Sequence, residues 1–188
     1  MIFVISGPSG VGKGTIIRKL LEENPNYTLA ISATTRPPRT GEIHGSDYFF
    51  LSETEFDLSI KNNEFLEWCQ VHTSRYGTLK KEIETLSSNS LAIIIEIDVQ
   101  GAEKIRQHQD INQRHIFLVP PSIEILENRL RKRNTESDTE IKKRITEAKN
   151  ELSKQNHYQH VIVNNELTQS VFELNNIILK ELAEGVIE

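Results

Sequence analysis

The sequence predicts an α/β fold, a central parallel sheet flanked by helices, with a small appended subdomain and a lid. Three observations predict it. Short apolar runs such as Ile2 to Ile5 and LAIIIEID, Leu91 to Asp98, are hydrophobic on both alternating faces, as strands covered on two sides must be. They alternate with stretches of helical period, which implies parallel neighbours joined by right-handed crossovers. A glycine-rich turn, GPSGVGKGT from Gly7 to Thr15, stands between the first strand and the first helix, where such a sheet places a phosphate-binding loop.

The elements follow in order. The first helix carries Ile16, Ile17, Leu20 and Leu21 on one face and stops near Asn24 and Pro25. Tyr27 to Phe50 is rich in Thr, Pro, Gly and Arg and reads as small strands and turns, with a strand-like piece at YFFL. Residues 53–66 read as a helix, Phe65 to Val71 as a strand and Lys80 to Leu86 as a short helix. After the core strand at Leu91 to Asp98 come a helix around Ala102 to Gln107, a strand from His115 to Val119, and a helix from Ser122 behind Pro120 and Pro121. Arg129 to Ile145 is dense in charge and poor in apolar residues, which predicts an exposed mobile flap. The strand HVIVN and a helix carrying Val171, Leu174, Ile177, Ile178 and Leu182 close the chain.

The 188 residues suffice for one domain with small appendages and a sizeable core. A formal net charge of −5 argues against a general nucleic-acid surface, so anionic substrates need locally basic pockets. Cys69 is the single cysteine, which excludes an internal disulfide and a cysteine zinc site and suggests a reducing, cytoplasmic setting. It reads as a buried structural residue, and His157 and His160 as solvated polar residues. No stretch approaches the roughly 20 apolar residues that span a bilayer, so no membrane partner is expected.

Four constellations carry chemistry. In the loop, Gly7, Gly10 and Gly12 allow positive φ so that backbone amides curl around phosphate oxygens; the helix N-terminus adds partial positive charge and Lys13 a full one. Its plain alternative is an ordinary glycine turn. In SATTRPPRTGEIHGSDYFF, residues 32–50, Arg36 and Arg39 are planar forks held apart by two prolines, suited to one phosphate, with Tyr48 able to add a hydroxyl. A solvated basic turn would have the same composition. Glu67 and Asp98 can each accept two parallel hydrogen bonds, the pattern of a guanine ring N–H and exocyclic amine, with Ser32 and Thr78 able to donate to the ring oxygen. By spacing alone Glu67 could be a surface acid, and Glu96 suits water around magnesium. Finally, Arg129, Arg131, Arg133 and Arg144 on the flap could neutralise a transferring phosphoryl group, work in which losing one arginine costs on the order of 10³-fold.

In this order the pieces resemble the guanylate kinases across essentially the whole chain, through ISGPSGVGKGT, SATTRPPRTGEIHGSDYFF, FLEWCQVHTSRYGT, IEIDVQG, RLRKR and VIVNN. The resemblance implies a P-loop kinase that phosphorylates GMP, and dGMP with it, from ATP. It places Gly7, Pro8, Ser9, Gly10, Val11, Gly12, Lys13, Gly14 and Thr15 on ATP, and Ser32, Arg36, Arg39, Tyr48, Glu67, Tyr76, Thr78 and Asp98 on GMP. Both arginines and both tyrosines fall on the GMP phosphate. Lys13, Arg39, Arg133 and Arg144 become the catalytic set. It further implies a core of residues 1–32, 85–124 and 151–188, a GMP-binding subdomain of 33–84 and a lid of 125–150, and it leaves a homo-oligomer open.

Two positions depart from the family's pattern. RLRKRNTE lacks the glycines that commonly flank the second lid arginine, and Gly14 stands where a serine is usual. Gly14 matches the GKGT of adenylate kinases, in which Mg²⁺ is held by ATP oxygens and water; here Thr15 and Glu96 would act on the ion indirectly. Two other functions share parts of the pattern: a P-loop kinase for another phosphorylated acceptor, and a non-enzymatic guanylate-kinase-like binding module. Glu67 and Asp98 argue against the first, the intact Lys13 against the second.

Overall fold

The computed structural model of the protein describes residues 1–71, 73–132 and 137–185. Along the chain lie β1 (Ile2–Ser6), α1 (Lys13–Glu23), β2 (Tyr27–Leu29), β3 (Ala33–Thr34), β4 (Phe49–Phe50), α2 (Glu53–Lys61), β5 (Phe65–Val71) and β6 (Ser74–Leu79). They are followed by α3 (Lys80–Ser87), β7 (Ala92–Glu96), α4 (Val99–Arg106), β8 (Gln113–Val119), α5 (Ile123–Arg131), α6 (Asp138–Leu152), β9 (His160–Val163) and α7 (Leu167–Glu184).

Five strands form one parallel sheet in the order β2-β7-β1-β8-β9. Alternation along its central strands sorts the core into two layers. Phe3, Ile5 and Ile94 pack with Ile16, Leu20, Leu174 and Ile178, under α1 and α7. Ile2, Val4, Ile93 and Ile95 pack on the other face with Val99, Ala102 and Ile105 of α4 and Ile83 of α3. A second sheet, β4-β3-β6-β5, is largely antiparallel and has its own small core of Ala33, Phe56 and Phe65, the two phenyl rings stacked 4.4 Å apart. The sheets meet where the chain passes from β2 through Ser32 into β3. Among the described residues no helix is long and apolar enough to cross a membrane.

Two expectations are corrected. The helix expected over 53–66 ends at Lys61, because Asn63 adopts the left-handed conformation at φ 55° and turns the chain into β5. Its start is fixed by a capping box in which Ser52 and Glu55 satisfy each other's backbone amides. The flap at Arg129 to Ile145 takes in the end of α5 and the start of α6, and its residues 133–136 lie outside the described residues. Ile141, Ile145 and Ala148 recur at helical spacing; Ile145 and Ala148 pack with Leu126 and Leu130 of α5. His160 is not solvated: its Nε2 lies 2.6 Å from Glu181 Oε1, and Arg114 pairs with the other carboxylate oxygen, tying α7 to β8 and β9. His157 is exposed, and Cys69 is buried as expected.

Candidate functional site

The loop between β1 and α1 takes the shape its glycines permit. Gly7, Gly10 and Gly12 have φ of 146°, 86° and 105°. At Gly7 a side chain is also sterically excluded, since a Cβ would stand 2.3 Å from the Leu118 carbonyl oxygen. No side chain caps α1 and no acid lies in its first turn, so its leading amides are left for an anion. Pro8 is buried against the sheet and Ser9 is exposed at the rim. Lys13 folds back across the loop, its Nζ donating to Gly7 O at 2.6 Å.

Beside the loop, at the end of β7, stands Glu96. Burial pushes its carboxyl above the usual range while the Lys13 charge pulls it down. A Cβ on Gly14 would meet Glu96 Oε2 at 3.4 Å, so the missing side chain opens directly onto this carboxylate; Thr15, the next residue along the chain from Gly14, is exposed. Glu151, on α6, is likewise raised by burial under the pull of Lys13; nothing in the spacing of the sequence had singled it out.

The expected acceptor residues gather on the second sheet and its loops. Arg36 lies over the Tyr48 ring, 5.3 Å from its centroid, and Tyr48 meets Tyr76 edge-on with centroids 6.0 Å apart. A further residue organises this group. Glu42 accepts from both terminal nitrogens of Arg36 at 2.9 Å and from the Arg39 backbone amide at 2.7 Å. The pairing raises the Arg36 pKa and holds the Glu42 carboxyl below its usual range. Sequence reasoning passed over Glu42; an acid three residues beyond Arg39, behind a glycine that turns the chain, was the available signal. The Arg39 side chain is exposed.

Glu67 is buried on β5. Thr78 donates to its Oε1 twice, from the amide and from the hydroxyl, both at 2.9 Å. The hydroxyl expected on a ring oxygen is thus engaged with Glu67. The other oxygen, Oε2, faces the start of α4, where a Cβ on Gly101 would stand 2.9 Å away. Asp98 caps that helix, its Oδ1 accepting from the Gly101 amide at 2.8 Å. Burial pushes the Glu67 carboxyl up to about 7, against the two Thr78 hydrogen bonds and with the Asp98 charge adding to the rise. Two carboxylates from different sheets therefore meet at one helix start, with Ser32 at the crossing between the sheets.

The flap arginines divide. Arg144 on α6 reaches Ser9 Oγ at 3.3 Å, over the loop. Arg129 instead donates backwards to Val11 O at 3.2 Å and Asn164 O at 2.9 Å, and Arg131 is held at the surface by Glu127 and Asp138. Arg133 lies outside the described residues.

A protein-family model described as guanylate kinase matches residues 1–181. Among curated relatives, a guanylate kinase of Rickettsia felis is 42% identical over 181 residues, 96% of this chain and 94% of that protein. One of Synechocystis sp. is 41% identical over 180 residues, with the same coverages. The crystal structure of guanylate kinase from Anaplasma phagocytophilum is similar at a TM-score of 0.79 and 32% identity, covering 97% of this chain and 86% of that one.

Proposed function

The chain belongs to the guanylate kinase family and passes the γ-phosphoryl group of ATP to GMP, and we propose that the two clusters described above divide this work. The loop from Gly7 to Thr15 takes the ATP phosphates, with Lys13 and Arg144 neutralising the charge that shifts between donor and acceptor. Arg36, Arg39, Tyr48 and Tyr76 take the GMP phosphate. Glu67 and Asp98 accept from the ring N–H and exocyclic amine of guanine, with Ser32 and Thr78 beside them. The observation that carries this reading is the meeting of Glu67 and Asp98: two acceptors at one spot match guanine and have nothing to bind on adenine's equivalent edge.

Phosphoryl transfer asks little covalent work of the protein, so catalysis lies in aligning the two nucleotides and supplying positive charge. A divalent cation bound with ATP adds to that charge. The oxygen donors near Gly14, the Thr15 hydroxyl and the Glu96 carboxylate, suit Mg²⁺, which dehydrates reluctantly and keeps most of its waters. We assign the core to residues 1–32, 85–124 and 151–188, the GMP-binding part to 33–84 and the lid to 125–150; the separate small core around Phe56 and Phe65 and the α5–α6 pair support this division. A cytoplasmic location fits a single, buried, unpaired cysteine.

Turnover with ATP should be at least about 10²-fold faster on GMP than on AMP, CMP or UMP, because an unmatched buried carboxylate penalises the wrong base. It should vanish with a chelator and return with Mg²⁺. Equal rates on the four monophosphates would overturn the base assignment.

Glu42 yields a separate expectation. Glu42→Gln replaces one of the two acceptor oxygens with an amide that faces donors, so Arg36 loses its forked partner. The KM for GMP should rise roughly tenfold, a modest effect because the pair is partly solvated, while the KM for ATP stays put. Initial rates with each nucleotide varied in turn decide it; a rise in both constants would mean that Glu42 serves the fold at large.

A further inference from the structure

The C-terminal segment reaches the phosphate loop at one point. Asn164, directly after β9, is 7% exposed. Its backbone amide is fixed to Val119 O at 2.8 Å. The side-chain Oδ1 lies 3.0 Å from the Ser170 hydroxyl, in the first turn of α7, which points the Nδ2 end at the loop, where it donates to Val11 O at 2.7 Å. The reverse orientation would set Oδ1 against a carbonyl oxygen, so the amide has one workable setting. Arg129 donates to the same carbonyl and to Asn164 O, making a node of three residues from three parts of the chain.

We propose that Asn164 is a positioning residue for ATP binding, acting through the direction of the Val11–Gly12 peptide. In a trans peptide the C=O and N–H point opposite ways. Tying Val11 O outward to Asn164 and Arg129 therefore aims the Gly12 amide inward, toward the hollow that Lys13 crosses. A loop peptide free to rotate would at times present its carbonyl oxygen to phosphate, replacing attraction by repulsion. The contact is tight enough to constrain the sequence: at Gly12, with φ 105°, a Cβ would stand 2.6 Å from Asn164 Nδ2. Gly12 is thus required both by its backbone angle and by the amide that steers it.

The proposal rests on the loop being the ATP site, and the test separates the two. ADP and GMP are titrated separately, by calorimetry, into the wild type, Lys13→Met, Asn164→Asp and Ser170→Ala. Asn164→Asp keeps the shape but sets a carboxylate oxygen against Val11 O, and ADP affinity should fall about 30-fold with GMP affinity unchanged. Ser170→Ala removes the hydroxyl that faces Asn164 Oδ1 and also bonds Glu166 O, and ADP affinity should fall about threefold, again with GMP unaffected. The proposal is overturned if Asn164→Asp binds ADP like the wild type, or if ADP and GMP weaken together. Should Asn164→Asp fail to fold, Ser170→Ala decides alone, and wild-type ADP affinity there sinks it. A Lys13→Met protein that keeps full ADP affinity would instead overturn the assignment of the loop itself.

Discussion

Replacing Lys13 with methionine is expected to lower kcat by about 10³-fold while leaving GMP affinity intact. Methionine keeps the length and most of the apolar stem, so the loss isolates the charge. That charge now rests on Gly7 O at 2.6 Å, in a loop with uncapped amides and no neighbouring acid on the helix. The amides contribute partial charges fixed in place; within the loop, Lys13 brings the full one that can follow the phosphoryl group as it leaves ATP. Asp98 apart, the acceptor cluster lies on the other sheet, and none of its hydrogen bonds involves Lys13. Single-turnover kinetics with saturating nucleotides, beside a GMP titration, make the comparison. A fall of less than tenfold in kcat would remove Lys13 from the catalytic set.

Glu67→Gln should reduce kcat/KM for GMP by about 10²-fold or more, since its amide turns a donor toward a donor in a buried site. The same residue makes GMP recognition pH-dependent. With the Glu67 carboxyl at about 7 in the free enzyme, only the ionised form accepts both guanine hydrogens. GMP affinity should therefore strengthen roughly tenfold from pH 6 to pH 8 and level off above. The GMP phosphate itself titrates near pH 6, so the Gln variant is the control: it retains the phosphate's dependence and loses the rest. Stability runs the other way. A carboxyl raised in the folded state is most favourable to the fold while protonated, and that contribution is lost as pH rises from the ordinary carboxylate range through about 7. Glu67→Gln should consequently melt like the wild type near pH 5 and above it at pH 8. A wild-type Tm that shows no such gap at pH 8 would mean that Glu67 ionises without cost.

Much of the fold was legible because its main strands sit in single-valued surroundings. Ile2 to Ile5, Ala92 to Ile95 and Ile116 to Val119 are unbroken apolar runs buried on both faces. The glycines of the loop were legible because positive φ and close approach leave few alternatives. Helix α6 was not, since it buries only a thin stripe: Ile141, Ile145 and Ala148 are outnumbered by charges. The site divides along the same line. Arg36 and Glu67 announce themselves by chemistry, whereas Asn164 acquires its meaning only when the sheet brings it 153 positions back along the chain to Val11. His160 failed for that reason too, its partner Glu181 being set by the packing of α7.

The placement of Glu67 and Asp98 on separate sheets bears on more than recognition. The small sheet has a core of its own in Ala33, Phe56 and Phe65, and it joins the larger one through the chain at Ser32 and through α4, where Lys104 bonds Trp68 O, His108 bonds Leu66 O and Leu66 enters the main core. A GMP molecule held by both carboxylates would act on the protein as a reversible staple, restraining the two sheets as a cross-link restrains a loop. The strength of that staple grows with the logarithm of ligand concentration over its Kd. The resistance of the small sheet to proteolysis and hydrogen exchange would then be set partly from outside the polypeptide, by how much GMP surrounds it.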